Sequence, residues 1–218
     1  NSKRAFVIVP NQNIATFWMN IGRETFGLDI SNAATPPSSG IWVKSYAFLR
    51  ENAGVFLRND WDAMIFDESQ SLKNYGIKPT AQADKSVNII NSQPEAKVLH
   101  ISATPFQSLA EMQYLGDVGI WSMGRMGWER FLRDHNYNYI DQAMGGGYWR
   151  FDGTVDDIID VYKQMQEMGI ISQRELIMDV PLDNRFMSAP MDMGTRGVYD
   201  FVDSRFADAV RVAQRPED

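Results

Sequence analysis

The sequence predicts an α/β protein, a parallel sheet with crossover helices, on two observations. Short apolar runs alternate with longer stretches whose apolar residues recur at helical spacing, the pattern of strands joined by helices. Two of those runs also end, at their C-terminal sides, in chemically distinctive residues, and that edge is where ligands of parallel sheets bind. The strands are expected at residues 5–9, 41–44, 63–66 and 97–101. Each is a near-continuous apolar run, as befits a strand covered on both faces. Helices are expected at 14–25, 46–57, 80–91 and 108–115.

Beyond Gly116 the texture changes. Gly, Trp, Tyr and Met are enriched from Trp121 to Phe151, with a run Gly145-Gly146-Gly147. Residues 117–175 are therefore expected to form a mostly helical insertion, including a helix over 155–168. Strand-like runs at 175–180 and 185–189 and a helix over 194–212 would make residues 176–218 a connector. The Gly run has no following Lys or helix start, so it reads as a loop rather than a phosphate cradle.

Composition narrows the chemistry. With 218 residues, 44% of them hydrophobic, the chain can bury a core. No apolar stretch approaches the roughly 20 residues of a membrane helix, so no membrane partner is expected. Cysteine is absent and there are two histidines, which leaves carboxylates as the ligands for any metal. A balance of 21 basic against 28 acidic residues, net −7, argues against coating nucleic acid through bulk charge but leaves room for a local groove.

The strongest motif is residues 61–70, an apolar strand ending in Asp67-Glu68-Ser69-Gln70. Adjacent acids at a rigid strand end suit nucleotide hydrolysis: the first holds Mg²⁺, usually through water, and the second orients and deprotonates the attacking water. The competing reading is an ordinary acidic turn. Residues 98–105 form another apolar strand, ending in Ser102-Ala103-Thr104-Pro105. Small hydroxyls at that end can hydrogen-bond an acidic pair on an adjoining strand, whereas a lone Ser-Ala-Thr-Pro is simply a loop before a helix. The order of the two motifs favours the functional reading of both. His100 reads as a core histidine, His135 as a solvated helix end, and the aromatics Trp128, Phe131, Tyr137, Tyr139, Tyr148 and Trp149 as a packed mini-core rather than base-stacking residues.

Taken together these motifs resemble the first motor lobe of superfamily-two helicases, the class with DEAD/DEAH-type and Swi/Snf-type members. Residues 6–10 with Trp18 are similar to the family's strand-Pro element and following helix, and Val43-Lys44-Ser45-Tyr46 to its second nucleic-acid-contacting element. Asp67-Glu68-Ser69-Gln70 resembles the Walker B box, Ser102-Ala103-Thr104 the coupling motif, and Lys73-Asn74 a Swi/Snf-like pattern. Residues 110–121, 168–176 and 180–183 resemble strawberry-notch-type helicases, which include phage antirestriction proteins with methyltransferase regions.

The resemblance implies a RecA-like lobe over residues 1–116 in a parent that hydrolyses ATP with Mg²⁺ and moves along nucleic acid, double-stranded DNA foremost. It assigns Asp67 to the metal, Glu68 to water activation, Gln70, Ser102 and Thr104 to coupling, and Pro10, Asn11, Ser45 and Tyr46 to the nucleic-acid backbone. Two departures accompany it. No Lys follows a Gly, so the phosphate-binding loop, which in the family lies upstream of the strand-Pro element, is not in this sequence. The chain is thus expected to start after that loop and its strand, to precede a second lobe, and to be inactive alone. Gln70 also stands where many relatives have His or Asp. The alternative is a non-catalytic helicase-like module that contacts other proteins, such as phage virion components. The implied location is the host cytoplasm or a virion.

Overall fold

The computed structural model describes residues 3–73, 75–76, 79–104, 106, 108–121, 124–142 and 146–172. The strands expected at 175–180 and 185–189, the helix over 194–212 and the whole 176–218 connector lie outside the described residues, as do Asn74 and Pro105.

Five parallel strands form the sheet: β1 (Arg4–Val9), β2 (Ile30–Ser31), β3 (Gly40–Ser45), β4 (Ala63–Asp67) and β5 (Lys97–Ile101), in the order β2-β3-β1-β4-β5. Their connections carry α1 (Gln12–Glu24), α2 (Tyr46–Leu57) and α3 (Ala81–Asn91). This is the doubly wound arrangement expected of a RecA-like sheet. β1 is central, and Phe6, Val7, Ile8 and Val9 are all fully buried, which explains its unbroken apolar run. β2 was not anticipated, because two residues are too few to show a periodicity.

The strand registers sort side chains by face. Phe6, Ile8, Trp42, Met64 and Phe66 join the larger core with Leu49 and Phe56 of α2 and Val87, Ile89 and Ile90 of α3. Val7, Val9, Val43 and Ile30 form a second core under α1, with Ala15. Each of these three helices starts at a side-chain cap. The Asn11 side chain accepts from the amides of Asn13 and Ile14, Ser45 from Phe48, and Thr80 from Ala83. The segment expected as a helix at 108–115 is instead a run of 3₁₀ turns at Leu109–Val118.

β5 is one of the two edge strands, opposite β2. Its Val98 and His100 face the larger core, while Leu99 (52% exposed) and Ile101 (36%) lie on the α1 side of the sheet, where α1 does not reach them. The sheet is left with an unpaired parallel edge among the described residues.

Gly40 opens β3 with φ of +89°, and a Cβ there would sit 2.6 Å from the Asp29 carbonyl oxygen. That carbonyl accepts the Ile41 amide at 2.8 Å, so it cannot withdraw freely. Gly40→Ala is expected to cost on the order of 2 kcal/mol through both the backbone angle and the clash. A denaturant midpoint equal to wild type would show that this junction relaxes.

The region after Gly116 differs from the mostly helical insertion expected. Between α4 (Arg125–Asp134) and α5 (Val155–Glu167) lies an antiparallel hairpin, β6 (Tyr137–Asp141) and β7 (Gly147–Phe151). The alternating aromatics Tyr137, Tyr139, Trp149 and Phe151 are its strand signal, obscured by the Gly run between them. Trp121, Trp128, Phe131 and Tyr137 are buried as a mini-core. The Tyr137 hydroxyl ties the hairpin to the lobe, 2.9 Å from Ser108 Oγ and accepting from the Leu109 amide at 3.1 Å.

Candidate functional site at the sheet edge

Parallel strands place every C-terminal end on one edge. Registers of Val9 with Ser45, Ile8 with Phe66, and Asp67 with Ile101 therefore align Pro10, Ser45, Asp67 and Ser102 along it. Asp67 ends β4 half-buried, and Glu68 follows exposed in a left-handed conformation, φ 52° and ψ 47°. That conformation costs a non-glycine residue about 1–2 kcal/mol. It turns the chain sharply, so that Ser69 and Leu72 bury while the Glu68 carboxylate stays on the solvent side.

Both Asp67 carboxylate oxygens are held. Oδ1 accepts the Glu68 amide at 3.1 Å, and Oδ2 accepts the indole N–H of Trp18 at 3.0 Å. Trp18 lies on α1, so the helix after β1 orients the acid that ends β4. The sequence marked Trp18 only as part of a helix; its role depends on β1 and β4 being neighbours, which no local pattern reveals.

The two motif strands are joined by a directional chain of hydrogen bonds. The Thr104 amide donates to Ser102 Oγ at 3.1 Å, Ser102 Oγ donates to Gln70 Oε1 at 2.6 Å, and Gln70 Nε2 donates to Glu68 Oε2 at 2.6 Å. A carboxylate accepts only, so the amide nitrogen of Gln70 must face Glu68 and its oxygen must face Ser102. Every donor then points toward Glu68, an arrangement in which each bond polarises the next. Gln70 thus makes the contact between the acidic pair and the Ser-Ala-Thr segment. Thr104 takes part through its backbone amide, and its side chain is exposed.

The residues expected to face nucleic acid divide. Pro10 and Asn11 are exposed on the edge, and Asn11 Oδ1 is occupied in capping α1. Ser45 caps α2. Tyr46 is a correction: it is 3% exposed, and its hydroxyl donates to the Asp67 carbonyl at 3.1 Å. Burial raises its phenol pKa well beyond the ordinary value, and its role is to brace the end of β4 rather than to meet a polymer. Beside it Lys44 is buried at 7% exposure, donating to the Asn32 carbonyl at 3.3 Å and lying over the rings of Trp42 and Phe48. Desolvation lowers its pKa.

His100 stacks on Phe66, and its Nε2 lies 3.1 Å from an Asp117 carboxylate oxygen, which joins β5 to the 3₁₀ segment. His135 closes α4 with Nδ1 donating to the Phe131 carbonyl at 2.7 Å. Lys73 pairs with Glu111 at 3.4 Å.

A family described as "P-loop containing NTP hydrolase pore-1" matches residues 54–138, a span that includes Asp67, Glu68, Gln70, Ser102 and Thr104 but not the edge residues of β1 and β3. Among solved structures the chain is similar to the SWI2/SNF2 ATPase core of Sulfolobus solfataricus in complex with double-stranded DNA. That likeness has 14% identity and a TM-score of 0.38, over 60% of this chain and 32% of that one. The chain thus spans about a third of that ATPase core. No curated protein matches the chain.

Proposed function

We propose that this chain is the water-activating and metal-binding half of an ATP-dependent nucleic-acid helicase or translocase. The observation that carries the reading is the chain from Thr104 through Ser102 and Gln70 to Glu68, which couples two strand ends beside an acidic pair. A chance acidic turn has no need of such a connection.

In this reading Asp67 holds Mg²⁺ through water. The donor set fits: each Asp67 oxygen keeps a lone pair beyond its one hydrogen bond, and the carboxylate is fixed in orientation by Trp18 and the Glu68 amide. Among the described residues no group of three or more His, Cys, Asp or Glu could cage an ion, so the remaining ligands would be water and phosphate oxygens, the usual Mg²⁺ arrangement. Bound there, Mg²⁺ would neutralise charge on the β- and γ-phosphates. Glu68, on the solvent side of the same turn, accepts a proton from the attacking water. Gln70 and Ser102 report the state of that site to β5 and the loop after it.

Pro10, Asn11 and Ser45 line the same edge and supply backbone contacts to nucleic acid, with double-stranded DNA the proposed track. The edge of β5, open among the described residues and with Leu99 and Ile101 exposed, is the place where a further parallel strand and its helix would complete the sheet and bring a phosphate loop to Asp67. A second lobe supplies the cations that close the cleft.

Gln70→Leu tests the coupling. The substitution keeps the volume and removes both hydrogen bonds. In the intact parent, basal ATP hydrolysis should persist while stimulation by nucleic acid falls about tenfold, within the usual range of coupling free energies. Stimulation equal to wild type in a steady-state ATPase assay with and without DNA would mean that the chain of bonds only packs the loop.

A further inference from the structure

A second concave site lies away from the acidic pair, between α4, the β6–β7 hairpin and the lobe. It is a cavity of about 340 Å³, whose walls include Trp128, Tyr139 and Trp149, with Arg125, Arg133, Glu129 and Asp141 at its polar positions. Gln113 and Gly76 close it from the lobe side. We propose that this cavity binds a purine base, guanine by its donor and acceptor pattern, carried by a free nucleotide or presented by a nucleic-acid strand. The site is independent of the acidic pair and of the reading given to it.

The argument starts from the shape of the walls. Trp149 and Tyr139 meet edge to face with centroids 5.2 Å apart, and the Arg133 guanidinium lies 5.5 Å from the Trp149 ring centroid. Aromatic rings and guanidinium planes are the surfaces on which flat heterocycles stack. Trp128 is only 2% exposed, so that wall is braced by the mini-core rather than free to collapse into the space.

Charge decides the kind of ring. Arg125 reaches Glu129 at 2.7 Å and Arg133 reaches it at 3.4 Å, so one carboxylate already offsets part of the two positive charges. Asp141 contributes a second negative charge. A site for a bare phosphate would keep its guanidiniums unopposed, and a cage for an alkylammonium would exclude them. What remains is a neutral ring bearing acceptors on one edge and donors on another. Guanine has that pattern: O6 and N7 accept from a guanidinium, and N1–H and the N2 amino group donate to a carboxylate. A pyrimidine offers less stacking area and no O6/N7 edge.

The test uses the 218-residue chain and two kinds of probe. Calorimetric titration compares guanosine monophosphate with cytidine monophosphate. Fluorescence anisotropy compares a labelled strand bearing one guanine in an otherwise abasic backbone with the same strand bearing one cytosine and with the fully abasic strand of equal length. Guanosine monophosphate is expected to bind at least tenfold more tightly than cytidine monophosphate. Trp149→Leu, at a half-buried position, and Arg125→Gln, at an exposed one, should each weaken guanine binding about tenfold while thermal unfolding stays as in wild type. Guanine preference in the mononucleotide arm alone identifies a free nucleotide as the ligand, and preference in the strand arm identifies a presented base. Equal affinity for guanine and cytosine probes, no saturable binding in either arm, or guanine binding unchanged in both folded variants would overturn the assignment.

Discussion

Glu68→Gln in the intact parent is expected to lower ATP turnover by about 10²- to 10⁴-fold, the usual cost of losing a general base, with nucleotide affinity little changed. The substitution is conservative at this site for a specific reason. Gln70 Nε2 donates to Glu68 Oε2 at 2.6 Å, and a glutamine side-chain oxygen can accept the same bond. The chain through Ser102 therefore survives, and only the basic oxygen is removed. Asp67→Asn should behave differently. Asp67 accepts two donors, the Trp18 indole and the Glu68 amide, one on each oxygen, and an amide can satisfy only one of them in that way. Its orientation and its negative charge both suffer, so Mg²⁺-dependent ATP affinity falls along with turnover. Equilibrium ATP binding with and without Mg²⁺, together with steady-state turnover for both variants, separates the two roles. Turnover of Glu68→Gln within twofold of wild type would falsify the assignment of a general base, and the chain would then be a helicase-like module without hydrolysis.

Phe6→Ala should produce the largest loss of stability. Phe6 is fully buried at the centre of the sheet, with ring centroids of Phe56, Trp61 and Phe66 at 5.1, 5.0 and 5.8 Å, each in edge-to-face contact. Those neighbours come from α2, the loop before β4, and β4 itself, so no single element can move in to fill the space. The full cost of a large-to-small core substitution, about 3–5 kcal/mol, is then expected. For a chain of this size each kcal/mol lowers the melting temperature by about 2–4 °C, so the transition should fall by roughly 10 °C. Circular dichroism melts of the two proteins measure it. A loss under about 1 kcal/mol would mean that the aromatic cluster repacks.

The sequence by itself determined the class of fold. Residues 5–9 are uniformly apolar because β1 is buried on both faces. The helices at 46–57 and 80–91 are legible from the spacing of their apolar residues. Such signals are local, and local spacing records them. By the same route the acidic pair and the Ser-Ala-Thr segment could be placed at strand ends.

Tertiary structure decided what those residues touch. Ser102 reaches Gln70 across 32 positions of sequence and Trp18 reaches Asp67 across 49, contacts that exist because β4 lies between β1 and β5. Strand order is a global property, set by which faces bury together, and residue spacing along the chain does not encode it in readable form. The same reason explains the misplacement of Tyr46. A tyrosine at the start of a helix on the ligand edge looks available to a polymer, yet the packing of α2 against β1 and β4 turns it inward, where its hydroxyl satisfies the Asp67 carbonyl. The hairpin and its cavity followed this rule as well: aromatics that look alike in sequence divide into a buried cluster and an open wall only once β6 and β7 have paired.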